Sequence, residues 1–308
     1  MEMQEGVVVP SLLATSWTSA GNARPEVDGG RSPLALTDRV TALSEAGWKG
    51  IGLLYADVAA YLQNSNSLTS LGALLKDNGI ERLELEFVTD WWAEGERRRA
   101  SDEVKRMLFE AAAELDVPHI KVLPNFSGDG VNKAEFYRSF AALADEAASF
   151  GTKIAIENLP FATHMQTLRE TLDLVQAVDH PAAGLVLDIW HLRRTGTTDD
   201  AISTIRADKI FIVELDDAAK QPTGRLYDDT MDRRLLPGDG HLDVPGFINA
   251  IETAGYEGYW GVEIISDAHR QRPLRGAVAS AFESTMRCFE EARARHVAGS
   301  TDTPGKLV

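Results

Sequence analysis

Four apolar runs in this sequence each end in a carboxylate: "IAIE" at Glu157, "LVLD" at Asp188, "IFIVE" at Glu214 and "GVE" at Glu263. Carboxylates held at short range repel one another, and their pKa values rise. A hard divalent cation removes the conflict. Mg²⁺ or Mn²⁺ takes carboxylate oxygens in an octahedral shell and leaves positions open for a substrate. Basic side chains would also neutralise the acids, and the candidates are Lys121, Arg193, Arg194, Arg233 and Arg234. One acid at the end of a strand is a chain reaching water; four in succession are harder to dismiss.

The neighbouring residues add chemistry. His191 follows Asp188 in "DIWHLRRTG". A neutral imidazole there could carry protons near neutral pH, or could simply be bonded to backbone. Arg233 and Arg234 sit in "DRRLLPGDG". Arg233 is the candidate to bind a substrate oxygen with its forked donors, and the other arginine then lies on the surface. Glu86 and Lys121 end two further apolar runs and point toward the same place if the register is right. Trp17, Trp91 and Trp92 fall just past strand-like runs, to stack on a substrate or to pack between loops. His241 either lines the site or is exposed.

These residues need a scaffold that brings strand ends together. Eight strand-like runs alternate with amphipathic stretches: "GVVVPSLLA", "KGIGLLY", "RLELEFV", "HIKVLP", "KIAIENL", "AGLVLDI", "KIFIVEL" and "YWGVEII". Near-continuous apolar runs are the mark of parallel strands covered on both faces. Eight βα units in 308 residues predict an α/β fold, a (β/α)8 TIM barrel, whose active site lies at the C-terminal strand ends. A doubly wound sheet is the alternative, although no glycine-rich dinucleotide loop follows the first run. Ser32 is expected to cap a helix with Pro33 as its first residue and Gly47 as its stop, and Ser101 to open another. Residues 1–296 are expected to form one catalytic domain, with 297–308 a flexible tail. The segment from Asp216 to Val244 is long for a loop, which points to function.

Composition narrows the partners. The net charge of -16 argues against nucleic acid and anionic membranes. The basic run Glu96–Ala100 reads as the solvated entry to a helix. No run approaches the length of a membrane helix. The single Cys288 fits a reducing, cytoplasmic setting.

The blocks "IAIENLP", "GLVLDIWHLRRTG", "IFIVELDD", "RRLLPGDGHLD" and "GYEGYWGVEIIS" resemble those of the xylose isomerase-like TIM barrels, the sugar phosphate isomerase/epimerase superfamily. The resemblance implies one divalent metal, Mn²⁺ first with Mg²⁺ or Co²⁺ as alternatives, held by Glu157, Asp188, Glu214 and Glu263. It implies that Glu157 and Glu263 double as an acid/base pair, as in the epimerases, and that His191 is the base if the chain resembles the dehydratases. It also points to Arg233 as a substrate ligand. Glu214 departs from the pattern, because the family usually has His there and some dehydratases have Gln. The expected function is proton transfer on a small sugar or keto-sugar, of the isomerase or epimerase type. The alternatives are a lyase of the same fold (a dehydratase or a 3-keto-glycoside-cleaving deglycosidase) using His191, and a catalytically idle barrel acting as a binding subunit. A homo-oligomer or a second subunit is compatible with either.

Overall fold

The computed structural model describes residues 9–301 except 127 and 129. Its strands are β1 (Leu12–Ala14), β2 (Gly50–Leu54), β3 (Arg82–Val88), β4 (His119–Val122), β5 (Lys153–Glu157), β6 (Ala183–Asp188), β7 (Ile210–Leu215) and β8 (Trp260–Val262). Each pairs in parallel with the next, and β1 also pairs with β8, so the sheet closes into a barrel. Helices between the strands cover its outside. This is the TIM barrel, and closure excludes the doubly wound sheet.

The outward faces of the strands pack on the helices in one large core. Ala155, Val186, Phe211 and Ile212 form a separate small cluster. The phase of β7 is set by a bulge: Leu185 pairs with Ile210, but Val186 pairs with Ile212. A one-residue slip moves a strand's side chains to the opposite face. The extra residue, Phe211, brings Glu214 opposite Asp188, and Glu214 in turn lies opposite Gly261. Gly184 makes this tolerable, because a Cβ there would collide with the Phe211 ring.

Local chemistry fixes most helix ends. Asn132 accepts a hydrogen bond from the Ala134 amide (2.8 Å) and starts the helix Lys133–Ser149. Thr167 and Glu170 form a reciprocal cap on the helix Leu168–Val178. Gly47, at φ 96°, ends the helix Leu36–Ala46 as expected. Ser32 does not cap that helix, which begins at Leu36. The Ser32 amide instead donates to Asp57 (2.8 Å) and its hydroxyl to the Ala20 carbonyl (2.9 Å). Asp57 is in turn held by buried Arg39 at 2.5 Å, so a tertiary network outcompetes the local cap. Ser101 does not open a helix either. It lies inside Gly95–Leu115 and donates to the Thr89 carbonyl at 2.5 Å. The run Glu96–Ala100 forms the first turns of that helix.

The segment after β7 carries the helix Leu226–Asp232, then folds back so that Asp217 pairs antiparallel with Leu235. The last helix runs Leu274–Thr301, through the start of the expected tail. Residues 302–308, and the first part of the "GVVVPSLLA" run, lie outside the described residues.

Candidate active site

Six carboxyl groups meet at the C-terminal mouth of the barrel: Glu86, Glu157, Asp188, Glu214, Asp216 and Glu263, none more than 4% exposed. Strand alternation puts them there. Glu214 and Asp216 are two apart on β7 and its extension, and Glu157 and Asp188 are the last residues of β5 and β6. Two glycines make room. A side chain at Gly52 would strike the Glu86 carboxylate, and one at Gly261 would meet the Val213 carbonyl at 2.8 Å and the Glu214 stem at 3.1 Å.

Two buried cations stand among the acids. Lys121, from β4, places Nζ 2.5 Å from Glu214 Oε1, 3.2 Å from Glu263 Oε1 and 3.5 Å from Glu86 Oε2. Arg234 places Nη1 2.5 Å from Asp188 Oδ2 and 3.2 Å from Glu263 Oε2, and also bonds Asp216. Its Nη2 donates to His191 Nε2 at 3.1 Å and to Thr230 Oγ1 at 2.9 Å. Burial alone would lower both basic groups, but the surrounding carboxylates outweigh it and hold both cations charged. Burial, followed by the charge of Arg234, pushes His191 well below the ordinary imidazole range, so it is neutral. Its Nε2 therefore accepts from Arg234, and the ring proton belongs on Nδ1.

The acids remain in excess. Burial is the main force pushing the carboxyls of Glu157, Glu214, Glu86 and Asp216 upward. Among the described residues Glu157 Oε1, Glu214 Oε2, Glu86 Oε2 and Asp216 Oδ1 accept no hydrogen bond. Unsatisfied buried oxygens of this kind call for a donor or a cation. Two trios offer ligand atoms within 4.8 Å of one another: Glu157, Asp188 and His191, and Asp188, Glu214 and Glu263. The donor set fits a divalent cation.

A cleft opens above this floor. Lys121, Glu157, His191, Arg234 and Glu263 face it from below, and Trp17, Phe87, Phe126, Phe161, Tyr227 and Met231 form apolar walls. Asp188 and Glu214 are fully buried and do not line it.

Of the residues singled out in the sequence, the fold gathers Glu86, Lys121, Glu157, Asp188, His191, Glu214, Glu263 and Trp17 at the mouth. Arg233 is not among them. It is exposed and among the described residues its side chain donates to the Thr223 and Asp228 carbonyls at 3.4 Å, while Arg234 takes the place expected of it. The backbone decides between them. Asp217 and Leu235 exchange two backbone hydrogen bonds on one side, and the Arg234 amide donates to Ile265 O at 3.2 Å on the other. The Asp217 carboxylate gathers the amides of Gly238, Gly240 and Leu242 at 2.9–3.1 Å, fixing the "PGDG" turn. Arg193 and Arg194 pair with Asp199 and Asp229. Trp91 and Trp92 pack against Phe136, with Trp91 Nε1 donating to Leu123 O, so they brace loops. His241 is exposed. Asp216, read in the sequence as loop beyond Glu214, and the aromatic walls other than Trp17 were not singled out as site residues. The Glu214–Asp216 spacing of two was the available signal for the former.

The sequence profile of the xylose isomerase-like TIM barrel family matches residues 40–288. A 3-dehydroshikimate dehydratase of Pseudomonas putida is 28% identical over 265 residues, 84% of this chain and 41% of that protein. The chain thus spans well under half the length of that relative. An inosose isomerase of Halalkalibacterium halodurans is 29% identical over 187 residues, 58% of this chain and 64% of that protein. The structure of the IolI protein with a bound zinc atom superposes with a TM-score of 0.77 at 21% identity, covering 92% of this chain and 99% of that one. Among the described residues no helix is long and apolar enough to cross a membrane. With a family match that runs from residue 40 to 288 and a closed eight-stranded barrel beneath it, this chain belongs to the xylose isomerase-like TIM barrel family.

Proposed function

We propose that this chain is a divalent-metal-dependent enzyme that moves protons on a sugar, an inosose or a related keto compound, in the manner of an isomerase or epimerase. The observation that carries this reading is the pair of carboxyls, Glu157 and Glu263, facing one cleft over an acid-rich floor. Glu157, Asp188, Glu214 and Glu263 would hold the metal, with Mn²⁺ the first choice and Mg²⁺ or Co²⁺ as alternatives. When bound, the metal would supply Lewis-acid polarisation of a carbonyl oxygen.

The chain's own groups do the rest. Glu157, buried and with an unpartnered Oε1, suits the removal of a proton from the carbon beside a carbonyl. Glu263, fixed between Lys121 and Arg234, returns a proton to another carbon or to the opposite face. Arg234 and Lys121 face the cleft as donors to substrate oxygens, and the walls, Trp17 among them, keep water out. Names of the relatives, an inosose isomerase and a 3-dehydroshikimate dehydratase, agree with a keto substrate.

A lyase with His191 as base is the second reading. It is favoured by a neutral His191 that faces the cleft. The Nε2 lone pair, however, is engaged by Arg234, which favours the glutamate pair. A cytoplasmic location, supported by the lone Cys288, and one catalytic domain over 1–296 complete the proposal.

The test is NMR in D2O with the Mn²⁺-loaded protein, supplied with inosose and with 3-dehydroshikimate. Solvent deuterium should enter beside the carbonyl, and Glu157→Gln or Glu263→Gln should stop it. Full turnover in both variants would remove the acid/base assignment. Dehydration abolished by His191→Ala, with metal content intact, would establish the lyase. No exchange, together with no bound metal, would leave the idle barrel.

A further inference from the structure

The two cations in the floor are held differently, and the difference has a consequence for metal loading. Arg234 is locked by a fork of donors onto Asp188, Asp216, His191 and Thr230, and its Nη1 also lies 3.2 Å from Glu263 Oε2. Lys121 is a single ammonium on a flexible stem, with hydrogen bonds to Glu214 and Glu263 and an ion pair with Glu86 at 3.5 Å. Glu214 and Glu263, with Asp188, form one of the trios able to take a metal. Lys121 also lines the cleft, so its stem has open space beside it.

We propose that Lys121 is the resident cation of the Glu214–Glu263 half of the floor, and that metal loading is an exchange. The ammonium holds these two carboxylates in the metal-free protein. A divalent ion can take them only when the ammonium leaves, and the cleft that Lys121 lines gives it open space to move into. In the loaded enzyme Lys121 then projects farther into the cleft, nearer to a substrate oxygen. Exchange is physically reasonable because a dication attracts the same carboxylates about twice as strongly as an ammonium at equal distance and dielectric. The unpartnered Glu214 Oε2 shows that the ammonium leaves part of the anionic capacity unused. This inference rests on the metal-dependent reading above and specifies which residue the ion must displace.

Two measurements test it on the full-length protein, freed of metal by dialysis. In the first, calorimetric titration with Mn²⁺ should show Lys121→Met binding about tenfold or more tighter than wild type. Equal or weaker binding by the variant overturns the exchange while leaving metal dependence in place. No binding by either protein overturns the exchange and the metal-dependent reading together. The second measurement needs no variant and covers the case in which Lys121→Met fails to fold. Wild type is acetylated briefly, with and without saturating Mn²⁺, and Lys121 modification is read by mass spectrometry. Exchange predicts that Lys121 labelling rises with the metal. Unchanged labelling overturns the proposal even if the Met variant binds more tightly, because that gain would then reflect charge removal alone.

Discussion

The barrel mouth has two halves built from similar acids and different cations. On one side Arg234 holds Asp188, Asp216, Glu263 and the ring of His191. Asp188 Oδ1 also receives the His191 amide at 3.0 Å, so both of its oxygens are satisfied. On the other side a single ammonium stands among Glu86, Glu214 and Glu263, and Glu86 Oε2 and Glu214 Oε2 accept no hydrogen bond. A planar guanidinium with several fixed donors builds a rigid framework. An ammonium balances charge without exhausting the acceptors. The Arg234 half, in which Asp216 Oδ1 accepts no hydrogen bond among the described residues, is structural as well as functional, and the Lys121 half, with two such oxygens, is where more charge remains to be supplied.

Removing Arg234 should have the largest effect. Arg234→Met leaves buried carboxylates without their cation, and breaking such a pair destabilises a fold by about 3–5 kcal/mol. Urea unfolding should show that loss, with turnover gone as well. Lys121→Met should destabilise the metal-free protein less, and Mn²⁺ should restore the difference. If Lys121→Met proved as damaging as Arg234→Met and Mn²⁺ restored nothing, the contrast between the halves would be wrong.

Glu263 belongs to both halves and Glu157 to neither cation directly. Glu157→Gln and Glu263→Gln should each lower turnover by about 10²–10⁴-fold, the usual worth of a proton-transfer group. Glu263→Gln should also lower stability, because it strips a partner from both Lys121 and Arg234. A stable Glu263→Gln variant, measured by thermal unfolding, would show that the two halves are not joined through this residue.

Below the Lys121 half, buried Glu84 offers a pH test. Burial is the main cause pushing its carboxyl from 4.5 to about 8, and the charge of Lys121 opposes it. The folded state therefore keeps a proton that the unfolded chain releases. The resulting stability is full below pH 4.5 and is lost as pH rises through about 8. Glu84→Gln should flatten that decline, which amounts to a few kcal/mol, roughly, at most. An unchanged slope of unfolding free energy against pH would exclude Glu84 as its source.

The smallest effect is expected next door to the largest. Arg233→Ala should change stability by no more than about 0.5 kcal/mol and leave turnover unaltered, because the side chain is exposed. A large loss of turnover would return Arg233 to the site.

The barrel and the four acids were legible in the sequence because they follow from short-range patterns. Apolar runs of strand length ended in carboxylates, and eight such units leave few architectures. The choice between Arg233 and Arg234 was not legible. It depends on the Asp217–Leu235 pairing, which joins residues brought together only by the folded loop. The Ser32 cap failed for a similar reason, since Asp57 and Arg39 compete for that segment from elsewhere in the chain. Sequence also placed Lys121 in the mouth without showing which acids it holds. That depends on barrel closure and on the bulge at Phe211, which sets the phase of Glu214.

The central claim is that the acid excess in this floor is met by a divalent ion. The most direct measurement is metal analysis of protein purified without chelator, followed by thermal unfolding with and without added Mn²⁺. The account predicts about one divalent ion per chain, or a metal-free protein whose Tm rises by several degrees on adding Mn²⁺. Protein without metal, and with a Tm that Mn²⁺ does not move, would contradict it.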